Sequence, residues 1–447
     1  MNDFELKISS RIYCCPFRFH QVQIWCRRRG YFSCFFSFRA MIMNENNDFI
    51  RYRRPQQIIS LIRNEIFVTL SHETEMISKA KHLDKLEKLI EQFRINLCGN
   101  FYRQPWKENR NDFQLEREFI SQHMLGYFIF NMDRFERRII AENYVKIFVH
   151  IITKYAYGTR RPFLEKLENK SPLLLKRLLH FLATDPDNSI FAAKMLCCCC
   201  RQLKTLALKL IDFHSSDSIS ASSPSLSTTT ATTTTTMLTS SSMPVYIQLL
   251  QSLINNNDFN HIAQIVKVLN ELLLTNVEVS IYAINRDLFS LIETFNKIFS
   301  NDKVNYYVRL SMIKLFGQLI QNRYLQKLIQ TYTISLDNFN LIYGLMKNAE
   351  KQNRDIEFTK LFEIIRLFIM NPVNTETNNP MRKVFIDEYN LLTKFVGKAQ
   401  RIRSYTDIAL FTPEYSDVMD RLNRISNPDL KQEEETFGSE LSLNSLI

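Results

Sequence analysis

The sequence predicts an all-α protein of stacked helices, an armadillo/HEAT-like helical-repeat solenoid, and three observations carry that prediction. Only 8 of its 447 residues are glycine and 12 are proline, so few positions suit the tight turns and close backbone approaches that sheet-rich and nucleotide-binding α/β folds require. Apolar residues recur every three to four positions over long stretches, the signature of amphipathic helices. No alternating apolar–polar run is long enough for a sheet.

Taken in order, five stripes define the pattern. Ile140, Tyr144, Ile147, Phe148 and Ile151 share one face over 139–152. Ile262, Ile265, Val266, Leu269, Leu272 and Leu273 do so over 262–273. Leu288, Leu291, Ile292, Phe295, Ile298 and Phe299 follow over 288–299, then Val308, Met312, Leu315, Phe316, Leu319 and Ile320 over 308–320. The last is Phe358, Leu361, Phe362, Ile365, Phe368 and Ile369 over 358–369. Each stripe is wide enough to need neighbours on more than one side. Pro162, Pro172, Pro186 and Pro372 are read as helix boundaries. Asn371 is pushed out of the α region by Pro372 and should end the 355–370 helix. Helices of roughly 12–18 residues joined by short polar links describe a repeat array, although no strict sequence repeat is present.

Three segments stand apart from the predicted helical-repeat domain, residues 52–427. Residues 1–51 form a basic extension: positions 1–54 hold ten Lys/Arg and four Asp/Glu, or +6 of the net +11. The rest of the chain is only mildly basic, so no nucleic-acid footprint is expected on the main body. The apolar run 31–43 is too short to span a membrane and lacks a following small-residue cleavage site. Residues 215–243 are Ser/Thr-rich and poor in large apolar groups, so they are expected to form a disordered loop. A phosphorylated regulatory loop is the alternative there. Residues 428–447, with Glu433, Glu434 and Glu435, read as a flexible acidic tail.

Chemistry-bearing motifs are missing. No two glycines lie within six residues, which removes phosphate-cradling loops, the dinucleotide fingerprint and the nucleophile elbow. The eight histidines show no metal-ligand spacing. Cys197–Cys200 are consecutive, and adjacent helical residues diverge by about 100°, so the run reads as small buried thiols in a reducing compartment. Asp185 and Asp187 lack the glycine and distal glutamate of a calcium loop. The expectation is therefore no enzyme, no cofactor, no metal and no small-molecule ligand.

The stretch Asn305–Arg323 (NYYVRLSMIKLFGQLIQNR), with Asp337–Phe339, Leu345–Met346, Asp355–Phe358 and Phe368–Pro372, resembles the calcium-binding protein 39 family, the Mo25-like kinase scaffolds. A second block, Phe135–Glu136, Ile147–Phe148 and Gly158–Pro162, is similar to the family's early repeats. The resemblance covers roughly 52–425. It implies a curved rod and a cytoplasmic scaffold. The partners it implies are the STE20-related adaptor pseudokinase, acting on the liver kinase B kinase, or STE20/germinal-centre kinases, whose active αC-helix position is favoured. Partner-binding roles fall by resemblance on Tyr306, Lys314, Arg323 and Tyr343. The family's C-terminal pocket for a Trp-Glu-Phe peptide uses an Arg, a Met and a Lys, which align with Leu310, Tyr343 and Asp387. Arg309 lies next to Leu310 and substitutes for the arginine only with a one-residue slip of the alignment, and a further partner-face aromatic becomes Gln326. These departures keep a second reading open, a divergent helical-repeat adaptor that binds proteins without activating kinases.

Overall fold

The computed structural model describes residues 55–71, 76–99, 110–156, 161–214, 243–256, 258–406 and 414–427. Residues 1–51, nearly all of 215–243, the Gly158–Arg160 turn and the 428–447 tail lie outside the described residues. Within those described there are α-helices and two short 3-10 turns, and no strand. They fall into two compact units, one ending at Phe128 and including Arg134–Ile147, the other comprising Ile129–Asp133 and the chain from Phe148 onward.

The first unit contains α1 (Pro55–Leu70), α2 (Met76–Gly99), α3 (Arg110–Ser121), the start of α4 (Met124–Phe130) and the first half of α5 (Arg138–Ala156). Ile58, Ile62 and Ile66 of α1 are buried with Leu86, Ile90 and Phe93 of α2. An aromatic line continues that core: Phe93 on Phe119 at 4.9 Å, Phe119 on Phe128 at 6.4 Å and Phe128 on Tyr144 at 4.6 Å. The buried Tyr144 hydroxyl donates to the Leu125 carbonyl at 2.7 Å, which satisfies the one polar atom this ring carries inward.

The second unit runs through α6 (Arg161–Thr184), α7 (Pro186–Gln202), α8 (Lys204–Asp212), α9 (Val245–Asn255), α10 (Phe259–Leu274), α11 (Val277–Ser300) and α12 (Tyr306–Gln321). It continues with α13 (Gln326–Thr333), α14 (Leu336–Lys351), α15 (Asp355–Met370), α16 (Pro380–Asp387), α17 (Tyr389–Thr406) and α18 (Glu414–Ser426). Its packing is that of a helical-repeat solenoid. One row of helices stacks α7 on α10, α10 on α12 and α12 on α15, and a second row behind it includes α11 and α14. All five predicted stripes are buried. Between the rows, Phe316 touches Phe295, Phe299 and Tyr332 at 4.9, 5.8 and 4.6 Å.

Helix ends follow local chemistry. Asp185, Asp258 and Asn305 cap α7, α10 and α12 by accepting backbone N–H groups, which satisfies donors that a helix start leaves without partners. Asn371 ends α15 as expected and caps the Pro372–Thr375 turn. Pro172 departs from its reading as a boundary: it lies inside the 24-residue α6. Helix lengths also range more widely than expected, from 7 residues in α4 to 24 in α11. The α11 stripe survives a break at Asp287, whose φ of −120° and ψ of 23° are not helical. Arg286 and Tyr246 hold that carboxylate at 2.9 and 2.8 Å.

A lysine-bearing face on three aligned helices

The caps set the register of a repeated surface feature. Lys194, Lys267 and Lys314 each stand eight residues beyond the first residue of their helix: Pro186, Phe259 and Tyr306. At 1.5 Å per residue each ammonium group is rooted about 12 Å along its helix. The helices run in the same direction. Phe259 and Tyr307, both at helix starts, meet at 4.7 Å, while Arg201, near the end of α7, pairs with Glu271, near the end of α10. Further along, Arg309 and Glu357 face each other from the first turns of α12 and α15. Three neighbouring parallel helices therefore present lysines at one level.

The three lysines are exposed and have no ion-pair or hydrogen-bond partner among the described residues. The acids beside them are already occupied. Glu271 takes Arg201 and the Thr275 hydroxyl, the latter at 2.9 Å. Glu363, at the equivalent eighth step of α15, takes Lys360 at 3.0 Å and the Gln321 amide at 3.0 Å. The face thus carries uncompensated positive charge. Between α7 and α10 it opens into a shallow groove of about 640 Å³, with Lys194 and Lys267 on its walls, Ile190, Ala263 and Val266 as apolar lining and Tyr307 at one end. The half-exposed Phe259 packs on Tyr307 and extends that aromatic lip.

The four residues expected to bind a partner are not gathered in one place. Lys314 belongs to the lysine row. Tyr306 opens α12, with the Arg354 guanidinium 4.5 Å above its ring. Arg354 is positioned by the α14–α15 turn, where Asn353 adopts a φ of 54° and the Arg354 N–H closes on the Ala349 carbonyl at 2.9 Å. Asparagine tolerates this left-handed conformation better than most residues. Arg323 lies past the other end of α12, against Tyr324: the hydroxyl accepts its hydrogen bond at 3.0 Å and the ring centre lies 5.0 Å away. Tyr343 is only 5% exposed. It stacks on Phe339 at 5.3 Å, lies under Lys347 at 4.1 Å and donates its hydroxyl to Glu388 at 2.8 Å. Burial first, then that hydrogen bond to Glu388, push the Tyr343 phenol well above its ordinary range.

The aligned pocket positions are equally specific. Arg309 is turned inward, 15% exposed and 3.8 Å from the buried Glu357, so in this structure it does not stand in for an arginine at Leu310. Asp387 is an exposed acid at the end of α16, and Gln326 is exposed at the start of α13. Lys194 and Lys267 escaped the sequence reading because no local motif marks them. Their signal is the shared step from a capped helix start.

Other chemistry is sparse. Cys199 and Cys200 are buried and burial raises their thiols well above the usual value, while burial pushes Cys197 up to about 11. Among the described residues no group of three or more His, Cys, Asp or Glu is arranged to hold a metal. No described helix is long and apolar enough to cross a membrane.

A family model described as Mo25-like matches residues 48–425. The degreening-related gene dee76 protein of Auxenochlorella protothecoides is 27% identical to this chain over 110 residues. That match covers 25% of this chain and 30% of the relative, so the chain matches less than a third of that protein's length.

Proposed function

The chain belongs to the Mo25-like family, whose members are non-catalytic scaffolds associated with kinases, and from that premise we propose that it binds STE20-type kinases or their pseudokinase adaptor and favours their active conformation in the cytoplasm. The observation that carries this reading is the row of Lys194, Lys267 and Lys314, exposed, at one level and without acidic partners. Such a row suits a partner surface that is acidic along one line, such as a helix with carboxylates on one face. Charge of this kind steers encounter and fixes register, and the aromatic lip supplies apolar contact beside it. Tyr306 and Arg323 extend the proposed contact to the two ends of α12. Tyr343 contributes through Glu388, by holding that carboxylate in place.

Activation follows from differential binding. A scaffold with equal affinity for both kinase states shifts nothing, whereas about 10⁴-fold preference for the active state moves a 1:99 population to 99:1. The test is stimulation of purified STE20-type kinases by the full chain, compared with the Lys194→Glu/Lys267→Glu/Lys314→Glu variant. Stimulation by the native chain and loss in the folded variant are expected. No stimulation across the panel would refute kinase activation. Binding without stimulation would instead select the adaptor reading, which the inward-turned Arg309 and the acidic Asp387 favour at the C-terminal pocket.

A further inference from the structure

The uncompensated lysine face has a complementary segment within the same chain. Beyond Asn427 the sequence carries Glu433, Glu434 and Glu435, then Phe437, Gly438 and Glu440. We propose that this acidic–aromatic segment docks on the lysine face and competes there with the partner. This deepens the function proposed above and rests on that face being the partner surface.

Reach, spacing and charge support it. The segment starts from the end of α18, which packs on α15; α15 packs on α12. Two helix spacings of about 8–10 Å separate α18 from α12, and Tyr415 stacks on Phe362 at the lysine level, which sets Asn427 about 18 Å further along the axis, so the path to Lys314 is about 24–27 Å. Glu433–Glu435 lie six to eight residues beyond Asn427, which at 3.3–3.6 Å per extended residue is a reach of about 20–29 Å. Glu434 and Glu435 therefore reach the level of Lys314.

The internal spacing also fits. Lys314 and Tyr307 are seven residues apart on α12, or about 10 Å along the axis. Glu434 and Phe437 are three residues apart, about 10 Å when extended. A chain with Glu434 on Lys314 thus places Phe437 against the Phe259–Tyr307 lip. Glu440 follows Phe437 by three residues and adds a further acid to the segment. Nearby acids do not compete for these lysines, because Glu271 and Glu363 are held by Arg201 and Lys360.

A tethered segment acts at an effective concentration on the order of 1 mM. A segment with an intrinsic Kd of about 0.25 mM is then docked about four-fifths of the time, and reversing its charge makes the face about fivefold more available. The experiment uses the full chain, a zero-length carboxylate–amine cross-linker with peptide mapping, and a labelled synthetic peptide of residues 430–441. The native chain should give links from Lys267 and Lys314 to Glu433–Glu435 or Glu440 that do not depend on protein concentration. Glu433→Lys/Glu434→Lys/Glu435→Lys should abolish links to those three positions and raise peptide affinity about fivefold. Lys267→Glu/Lys314→Glu, with an unchanged helical spectrum, should abolish peptide binding. Links that appear only at high protein concentration would overturn docking within one chain. Absence of these links, or peptide binding that ignores both variants, would overturn the proposal altogether. Kinase stimulation with no such links refutes self-docking alone, whereas links without kinase binding refute the kinase reading alone.

Discussion

Asn374 offers a sharp test of how α13 is held against α15. It is fully buried in the Pro372–Thr375 turn. Its side-chain amide donates to the Thr333 carbonyl at 2.7 Å and to the Phe368 carbonyl at 3.0 Å. Those acceptors close the ends of α13 and α15, so one side chain ties two helix C-termini. Asn374→Ala leaves both carbonyls without that donor, at about 1–3 kcal/mol each. It also removes the amide oxygen, which has no partner inside, and so recovers about 1–3 kcal/mol. The expected net loss is about 1–3 kcal/mol, a fall in Tm of about 2–12 °C at roughly 2–4 °C per kcal/mol. Asn374→Asp should be worse at neutral pH, because it sets a carboxylate against two carbonyl oxygens. Calorimetry of the full chain measures the loss, and hydrogen exchange at Thr333–Ser335 and Phe368–Asn371 locates it. An alanine variant within 0.5 kcal/mol (roughly the scatter of neutral surface changes), or an aspartate variant more stable than the alanine one, would refute the reasoning.

Three further outcomes follow from the same geometry. Burial raises the Glu65 carboxyl, but hydrogen bonds from Lys85 and from His82 at 2.7 Å outweigh it and hold Glu65 below its ordinary value. A carboxyl lowered on folding stabilises above its unfolded pKa and loses that contribution as pH falls through the folded value; acid titration of the native chain should therefore lose more stability than that of Glu65→Gln. Cys199 and Cys200 are fully buried with raised thiols, so native protein at pH 8 should leave both unmodified by iodoacetamide while denatured protein reacts at both. Lys314→Ala, which removes an exposed group without a partner among the described residues, should leave stability within about 0.5 kcal/mol of native yet reduce kinase association, read as a slower on-rate that converges with the native rate at high salt.

The fold was largely legible from local pattern. Phe295, Phe316 and Phe368 stand at helical spacing, and each is buried where its stripe places it. Asn371 before Pro372 ends α15 at the expected residue. Pro172 shows the limit: proline disfavours a helix interior, yet packing of α6 on α7 and α8 accompanies a helix that continues through it. The candidate site was only partly legible. Tyr306, Lys314, Arg323 and Tyr343 came from resemblance, and only Lys314 proved to stand in the row of equivalent lysines. Tyr343 looked available because Glu388, which accepts its hydroxyl, lies 45 positions away in the sequence. Arg309 looked available for the same reason, since Glu357 lies 48 positions away.

The sequence by itself determined that this protein is helical, where most helices start and stop, and which face of each is apolar, because those properties depend on neighbours three or four residues away. It also determined the family, through a match spread along most of the chain. Only the tertiary structure decided which solvent faces stand side by side. Lys194, Lys267 and Lys314 are 73 and 47 residues apart in the chain, and they form one row because three capped helices pack in parallel with their starts level. A surface charge has no local signature of its neighbours, so its meaning emerges only when packing brings the helices together.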